Sequence, residues 1–293
     1  MMITVAALQA LRTGFRKNFQ TGIGKAASTY EELVTPVNSS TKVETYGWLG
    51  DMPIFRRWVG AKRVKSLEEK AYQLMNEDFE ATIGIHKNKI KDDNLGLYGP
   101  IVQGWGEQGG SLKDRLAYDA LGSGHQRACF DGQNFFDTDH PVGDTLVSNV
   151  SGNDAVAPWF LVDLSKPLKP LLMQTRQEPE FLMVTDPEDS HVFKTGEFLM
   201  GAEARAACGY TFWQLAHRCT GALNEANYQA ACEAMAALKD EEGEPLEVKP
   251  THIVVGTSNK VAARELFKKA NLTGGESNIW FEDVLIKESR RLA

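Results

Sequence analysis

Ile54–Val64 reads IFRRWVGAKRV and Glu80–Asp93 reads EATIGIHKNKIKDD; both lie in an excursion from Tyr46 to Asp93 that has strand-like residues but no means of building a core. The first run sets arginines and lysines among Ile, Phe, Trp and Val. In the second, Ala81, Ile83 and Ile85 share one face, and Lys87 and Lys89 are expected to continue it. A strand that turns polar on both sides is not expected to cross a buried sheet. Such a segment is ordered only where something covers it, and a neighbouring subunit is the first candidate. Assembly therefore ranks ahead of catalysis.

The chain has 293 residues, enough for a sizeable core and two compact domains. Its hydrophobic fraction of 42% and charged fraction of 24% are those of an ordinary globular protein. No apolar run approaches the roughly 20 residues of a membrane span. The N-terminus MMITVAALQALRTGF lacks the basic start and cleavage site of a signal peptide, so cytosolic synthesis is expected. Cys129, Cys208, Cys219 and Cys232 are widely spaced and form no CxxC pair, which argues against a zinc ribbon and favours buried thiols. A net charge of -7 argues against a dedicated nucleic-acid binder. The first thirty residues nevertheless carry Arg12, Arg16, Lys17 and Lys25 with no acid. That composition fits either loose contact with nucleic acid or a solvated helix face.

Residues 3–19 read as an amphipathic helix through Val5, Leu8, Leu11 and Phe15. The Gly/Ser/Thr-rich stretch after it marks the helix as an arm rather than part of a domain. From Pro100 to Gly124 one long, broken helix is expected; Gly104, Gly106, Gly109 and Gly110 weaken it, and Ser111 with Asp114 forms a capping pair that restarts it. Pro158–Arg176 reads as two strands separated by prolines, whereas Glu197–Arg218 has no readable period. The last quarter is clearest: a helical stripe through Tyr228, Ala231, Cys232, Met235 and Leu238, a buried strand HIVVG, a helix capped by Ser258, and a final strand near Phe281–Ile286.

Motifs that would carry chemistry mostly fail. Gly104–Gly109 spells GxGxxG in mid-helix, without the preceding strand of a dinucleotide fold. Gly22–Ser28 resembles the end of a P-loop, but Phe19 replaces its first glycine and Ala26 its Ser/Thr. Asp137, Asp139 and His140 resemble a metal or acid–base cluster; a turn held by Asp side chains is the simpler reading. In Arg56–Lys65 arginine and Trp can stack on bases. Glu68 and Glu69 follow at once, however, and the apolar flanks favour a protein interface over a solvated strand or nucleic acid.

Four segments, in order, carry a resemblance: WLGDMPIFRRWVGAKRV, EATIGIHKNKIKDDNLGLYGP, FDGQNFFDTDHP and GEPLEVKPTHIVVG. Together they resemble the major head (capsid) subunit of Mu-like phages and prophages. The resemblance implies a mixed α+β, HK97-like capsid fold. On it, residues 1–40 are an N-terminal arm, 41–98 an extended β-hairpin loop lying over a neighbouring subunit, 99–220 a peripheral domain with a spine helix, and 221–293 an axial domain. It implies a non-enzymatic protein, without cofactor, that assembles in the host cytoplasm into pentamers and hexamers of an icosahedral virion shell around double-stranded DNA. Scaffold, portal and decoration proteins are implied partners, and no membrane is.

Trp48, Ile54, Phe55, Arg56, Arg57, Trp58 and Ile85 are the expected interface anchors, with Arg12, Arg16, Lys17 and Lys25 on a DNA-facing arm. Two rivals come from other classes. One is a metal-dependent hydrolase using Asp137, Asp139 and His140; the other is a nucleic-acid-binding module centred on the arm and Arg56–Lys65.

Overall fold

Leu8, Leu11, Phe15 and Phe19 recur at helical spacing and line one face of α1 (Val5–Lys25) in the computed structural model, which describes residues 5–47, 72–92, 96–153, 156–271 and 275–292. A 3-10 turn at Tyr30–Glu32 leads into β1 (Val34–Asn38). Next, β2 (Val43–Tyr46) and β3 (Tyr72–Met75) pair antiparallel, and β4 (Glu77–His86) follows. The chain then turns at once into α2 (Lys87–Lys91), where His86 Nδ1 accepts from the Asn88 amide at 3.2 Å. Lys87 and Lys89 therefore do not extend the strand face, because capping by His86 ends the strand before them.

The expected long helix is two: α3 (Tyr98–Gly110) and α4 (Leu112–Ser123), broken at Ser111. Ser111 Oγ donates back to the Glu107 carbonyl at 2.8 Å instead of capping α4. Asp114 serves elsewhere, accepting from the Thr29 and Tyr30 amides at 2.9 and 2.8 Å. It thereby ties α4 to the 3-10 turn before β1.

Downstream lie the hairpin β5 (His140–Val142) and β6 (Thr145–Val147), then β7 (Val150–Ser151) and β8 (Trp159–Val162). Two fourteen-residue strands, β9 (Leu171–Val184) and β10 (Glu197–Tyr210), form a hairpin tipped by α5 (Ser190–Thr195). This hairpin occupies much of the stretch without readable period, where burial follows a bulged strand rather than a clean alternation. The remaining elements are β11 (Ala216–Cys219), α6 (Glu225–Ala236), β12 (His252–Val255), α7 (Lys260–Lys268) and β13 (Leu285–Glu288).

Two sheets organise the body. The first has the order β1-β9-β10-β4, with β1 parallel to β9 and the other pairs antiparallel. The second has the order β13-β12-β8-β11-β7. Its central strand β8 buries all four residues, as expected for a strand covered on both faces. The second sheet joins strands from before and after residue 220. Hydrogen bonds between β8 and β12 thus span the boundary expected there. Phe135 stacked on Tyr210 at 4.4 Å, and Phe136 against Phe160 at 5.3 Å, join the sheets in one core.

A second core explains both α1 and the glycines of α3. Phe15, Phe19, Ile85, Val102, Phe181, Met183 and Met200 are buried together. A Cβ on Gly106 would stand 2.0 Å from the Phe19 carbonyl oxygen, and one on Gly22 would stand 2.0 Å from that of Gln103. The two helix backbones touch, and only glycine permits that approach. So α1 is docked on the body and is not a free arm, and Gly106, Gly109 and Gly110 of α3 are its seat. Among the described residues, no helix is long and apolar enough to cross a membrane.

Gly104 meets nothing within 4 Å of a built Cβ. Gly104→Ala should therefore stabilise the subunit by up to about 1 kcal/mol through helix propensity. Gly106→Ala should destabilise it by about 1–3 kcal/mol through overpacking, despite the same propensity gain. Urea unfolding of the unassembled subunit measures both; equal shifts would show that the backbones do not touch.

Candidate subunit interface

Residues 48–71 lie between β2 and β3 in the chain, so the β2–β3 pair is the root of that segment. Tyr46 faces Tyr72 across the pair, and Tyr46 and Leu74 belong to the main core. A fully buried Gln174 on β9 holds the root twice. Its Oε1 accepts from the Tyr46 hydroxyl at 2.6 Å, and its Nε2 donates to the Leu74 carbonyl at 3.3 Å. Burial pushes the Tyr46 phenol up to about 12, so it stays a donor at any physiological pH.

The turn before β2 is equally well tied. The Glu44 carboxylate accepts from Ser39 Oγ and from the amides of Ser40 and Thr41 at 2.9, 2.8 and 3.0 Å. Those bonds, the Thr41 and Ser40 amides foremost, hold its pKa down to about 2. Asn76 closes the other side, donating to Ser39 Oγ and the Thr41 carbonyl at 2.8 and 2.9 Å. Sequence reasoning missed Gln174, Glu44 and Asn76. The only available signal was a Gln, a Glu and an Asn set at the ends of apolar runs.

Trp48, Ile54, Phe55, Arg56, Arg57 and Trp58 lie outside the described residues. Ile85 is described, and its expected part as an intersubunit anchor needs correction. It is 6% exposed and packs inside its own chain among Phe15, Phe19 and Met200. The physical reason is the docking of α1, which covers the face that had no evident partner. Large apolar side chains that the sequence did not single out are instead exposed: Phe193 on α5 at 81%, Ile279 at 79%, and Val261 on α7 at 67%.

Arg12, Arg16, Lys17 and Lys25 are all exposed on α1. Arg16 pairs with Glu180 on β9 at 3.1 Å, a half-exposed contact of modest worth. Arg12 lines a cleft of about 400 Å³ with Leu8, Met183 and Asp186.

Asp137, Asp139 and His140 do not converge. Asp137 accepts from the Thr138 amide at 2.8 Å and from Asn134, as a turn-forming aspartate does. The Asp137 carboxylate accepts a hydrogen bond from the protonated Asp139 carboxyl, which raises the pKa of Asp139. His140 turns inward, bonds Asp131 through Nδ1 at 2.7 Å and stacks on Trp213 at 4.0 Å. The hydrolase reading therefore lacks its site.

Residues 8–290 match the family model of the Mu-like prophage major head subunit gpT. The chain is 38% identical to the major capsid protein of Escherichia phage Mu over 289 residues, 95% of each. It is similar to a chain of the bacteriophage JBD30 procapsid, with a TM-score of 0.86 and 39% identity over 99% of this chain and 100% of that one. It is also similar to a chain of the JBD30 capsid decorated with minor capsid protein trimers, at TM-score 0.81 and 30% identity over the full length of both.

The root has a pH signature. Because the folded pKa of Glu44 lies below its ordinary value of 4.5, its bonds are complete above that value and are lost as pH falls towards about 2. Amide hydrogen exchange at Ser40 and Thr41 should therefore accelerate, relative to its intrinsic rate, between pH 4.5 and 2. In a Glu44→Gln chain that acceleration should be absent.

Proposed function

The chain belongs to the Mu-like prophage major head subunit family, and on that premise we propose that copies of it are tied together by the segment between Tyr46 and Tyr72. It is a major capsid protein of HK97-like α+β fold. In the proposed assembly, pentamers and hexamers close an icosahedral shell around double-stranded DNA in the host cytoplasm. Scaffold and portal proteins take part, and minor capsid proteins decorate the shell. The role is geometric and non-enzymatic.

The observation that carries the reading is the clamped root. Gln174, Glu44 and Asn76 hold the β2–β3 pair that flanks residues 48–71. The Trp, Phe and Arg side chains of that segment are the types that anchor interfaces. One chain must occupy several non-identical environments, which suits a rigid two-sheet body with a linking segment. Many modest contacts then sum by multivalency, and misplaced copies dissociate early. Exposed Phe193, Val261 and Ile279 supply further apolar contact for neighbouring copies.

Trp58→Ala should lower shell yield on the order of tenfold, while far-ultraviolet circular dichroism shows a folded subunit. Sedimentation and negative-stain microscopy read the yield; wild-type shells from this variant would remove Trp58 from the anchor set.

The proposed DNA contact rests on the four exposed cations of α1. Replacing Arg12 and Lys17 with alanine should weaken DNA binding by the subunit and flatten its salt dependence by about one unit of slope per lost phosphate contact. An unchanged slope in a salt titration would place the DNA elsewhere.

A further inference from the structure

Between α4 and β5 the chain closes around three donor side chains that the assembly reading does not use. Cys129 Sγ lies 3.0 Å from Asp131 Oδ1 and 4.0 Å from the Asn134 carbonyl oxygen. Asp131 Oδ2 lies 2.7 Å from His140 Nδ1. One thiol sulfur, one carboxylate oxygen and one imidazole nitrogen all fall within 4.8 Å of one another. The site is closed: Cys129 is 5% exposed, and the side chains of Asp131 and His140 are 2% and 0% exposed. His140 Nε2 is also buried and has no hydrogen-bond partner among the described residues.

We propose that Cys129, Asp131 and His140 form a structural zinc site, with the Asn134 carbonyl or a water as fourth ligand. Sulfur, carboxylate and imidazole are the donors that zinc takes, and its ligand distances of about 2.0–2.3 Å set tetrahedral donors roughly 3.3–3.8 Å apart. The observed separations reach that geometry with shifts of about an ångström. A thiolate and a carboxylate balance a divalent cation, so the loaded site has no net charge to bury. Zinc takes the place of the Cys129 thiol proton, which leaves to solvent.

The site also has local work to do. From Gly124 to Asn149 the regular structure is one short hairpin, yet this loop inserts Phe135 and Phe136 into the core that joins the sheets. A cross-link between its start at Cys129 and its far limb at His140 would hold that insertion in register.

The test uses purified full-length subunit, stripped of metal and titrated with zinc chloride or cobalt chloride. The expected results are about one tightly held zinc per chain by elemental analysis, a thermal midpoint raised by zinc, and a thiolate-to-cobalt charge-transfer band with intense tetrahedral visible absorption. All three should vanish in Cys129→Ser. The proposal is overturned if wild-type protein retains no more zinc than Cys129→Ser, or if cobalt gives no thiolate band. Should Cys129→Ser fail to fold, the cobalt spectrum of the wild-type chain decides alone. Shell formation is scored separately, so failure here leaves the assembly reading intact.

Discussion

Gln174 is the residue on which the working geometry depends. It is a fully buried amide whose oxygen and nitrogen are both engaged, one by each strand of the β2–β3 pair. A buried amide is costly when half-satisfied and directional when satisfied. Its two bonds fix how the β2–β3 pair sits on β9, which apolar packing of Tyr46 and Leu74 alone would leave loose.

Behind the root, the body is stiffened by two different contacts. Aromatic stacking at Phe135–Tyr210 joins the sheets through bulk. The α1–α3 crossing joins helix to helix through the absence of bulk, with Gly22 and Gly106 letting the backbones meet. The same crossing shields Ile85 and the ends of β9 and β10. Each contact covers what the other leaves open, so the body needs no neighbour to complete its cores.

Legibility in the sequence followed locality. The stripe of α6, the buried β12 and the helix α7 rest on neighbours a few residues away and were readable, with α7 capped at Asn259, one residue beyond the expected Ser258. The seat of α1 was not readable, because Phe19 and Gly106 signal nothing until they are placed together. Ser111 and Asp114 had the spelling of a cap, but a partner far off, the Thr29–Tyr30 backbone, claimed the carboxylate. In the candidate interface, the chemistry of residues 48–71 was legible as composition and order. The clamp on its flanking strands was not, since Gln174 lies in a different run of sequence. Likewise His140 was grouped with the adjacent Asp139, whereas its partner is Asp131 across the loop.

The distance along the chain between root and clamp also dictates an order of events. Tyr46 and Gln174 are 128 residues apart, and Leu74 and Gln174 are 100 apart. Such non-local pairings form late, because loop-closure entropy must be met before they give anything back. On the ribosome β2 and β3 emerge long before the residue that bonds both of them. Until β9 is made, the pair lacks its buried amide partner, so it gains that anchor only after more than half of the chain has been synthesised.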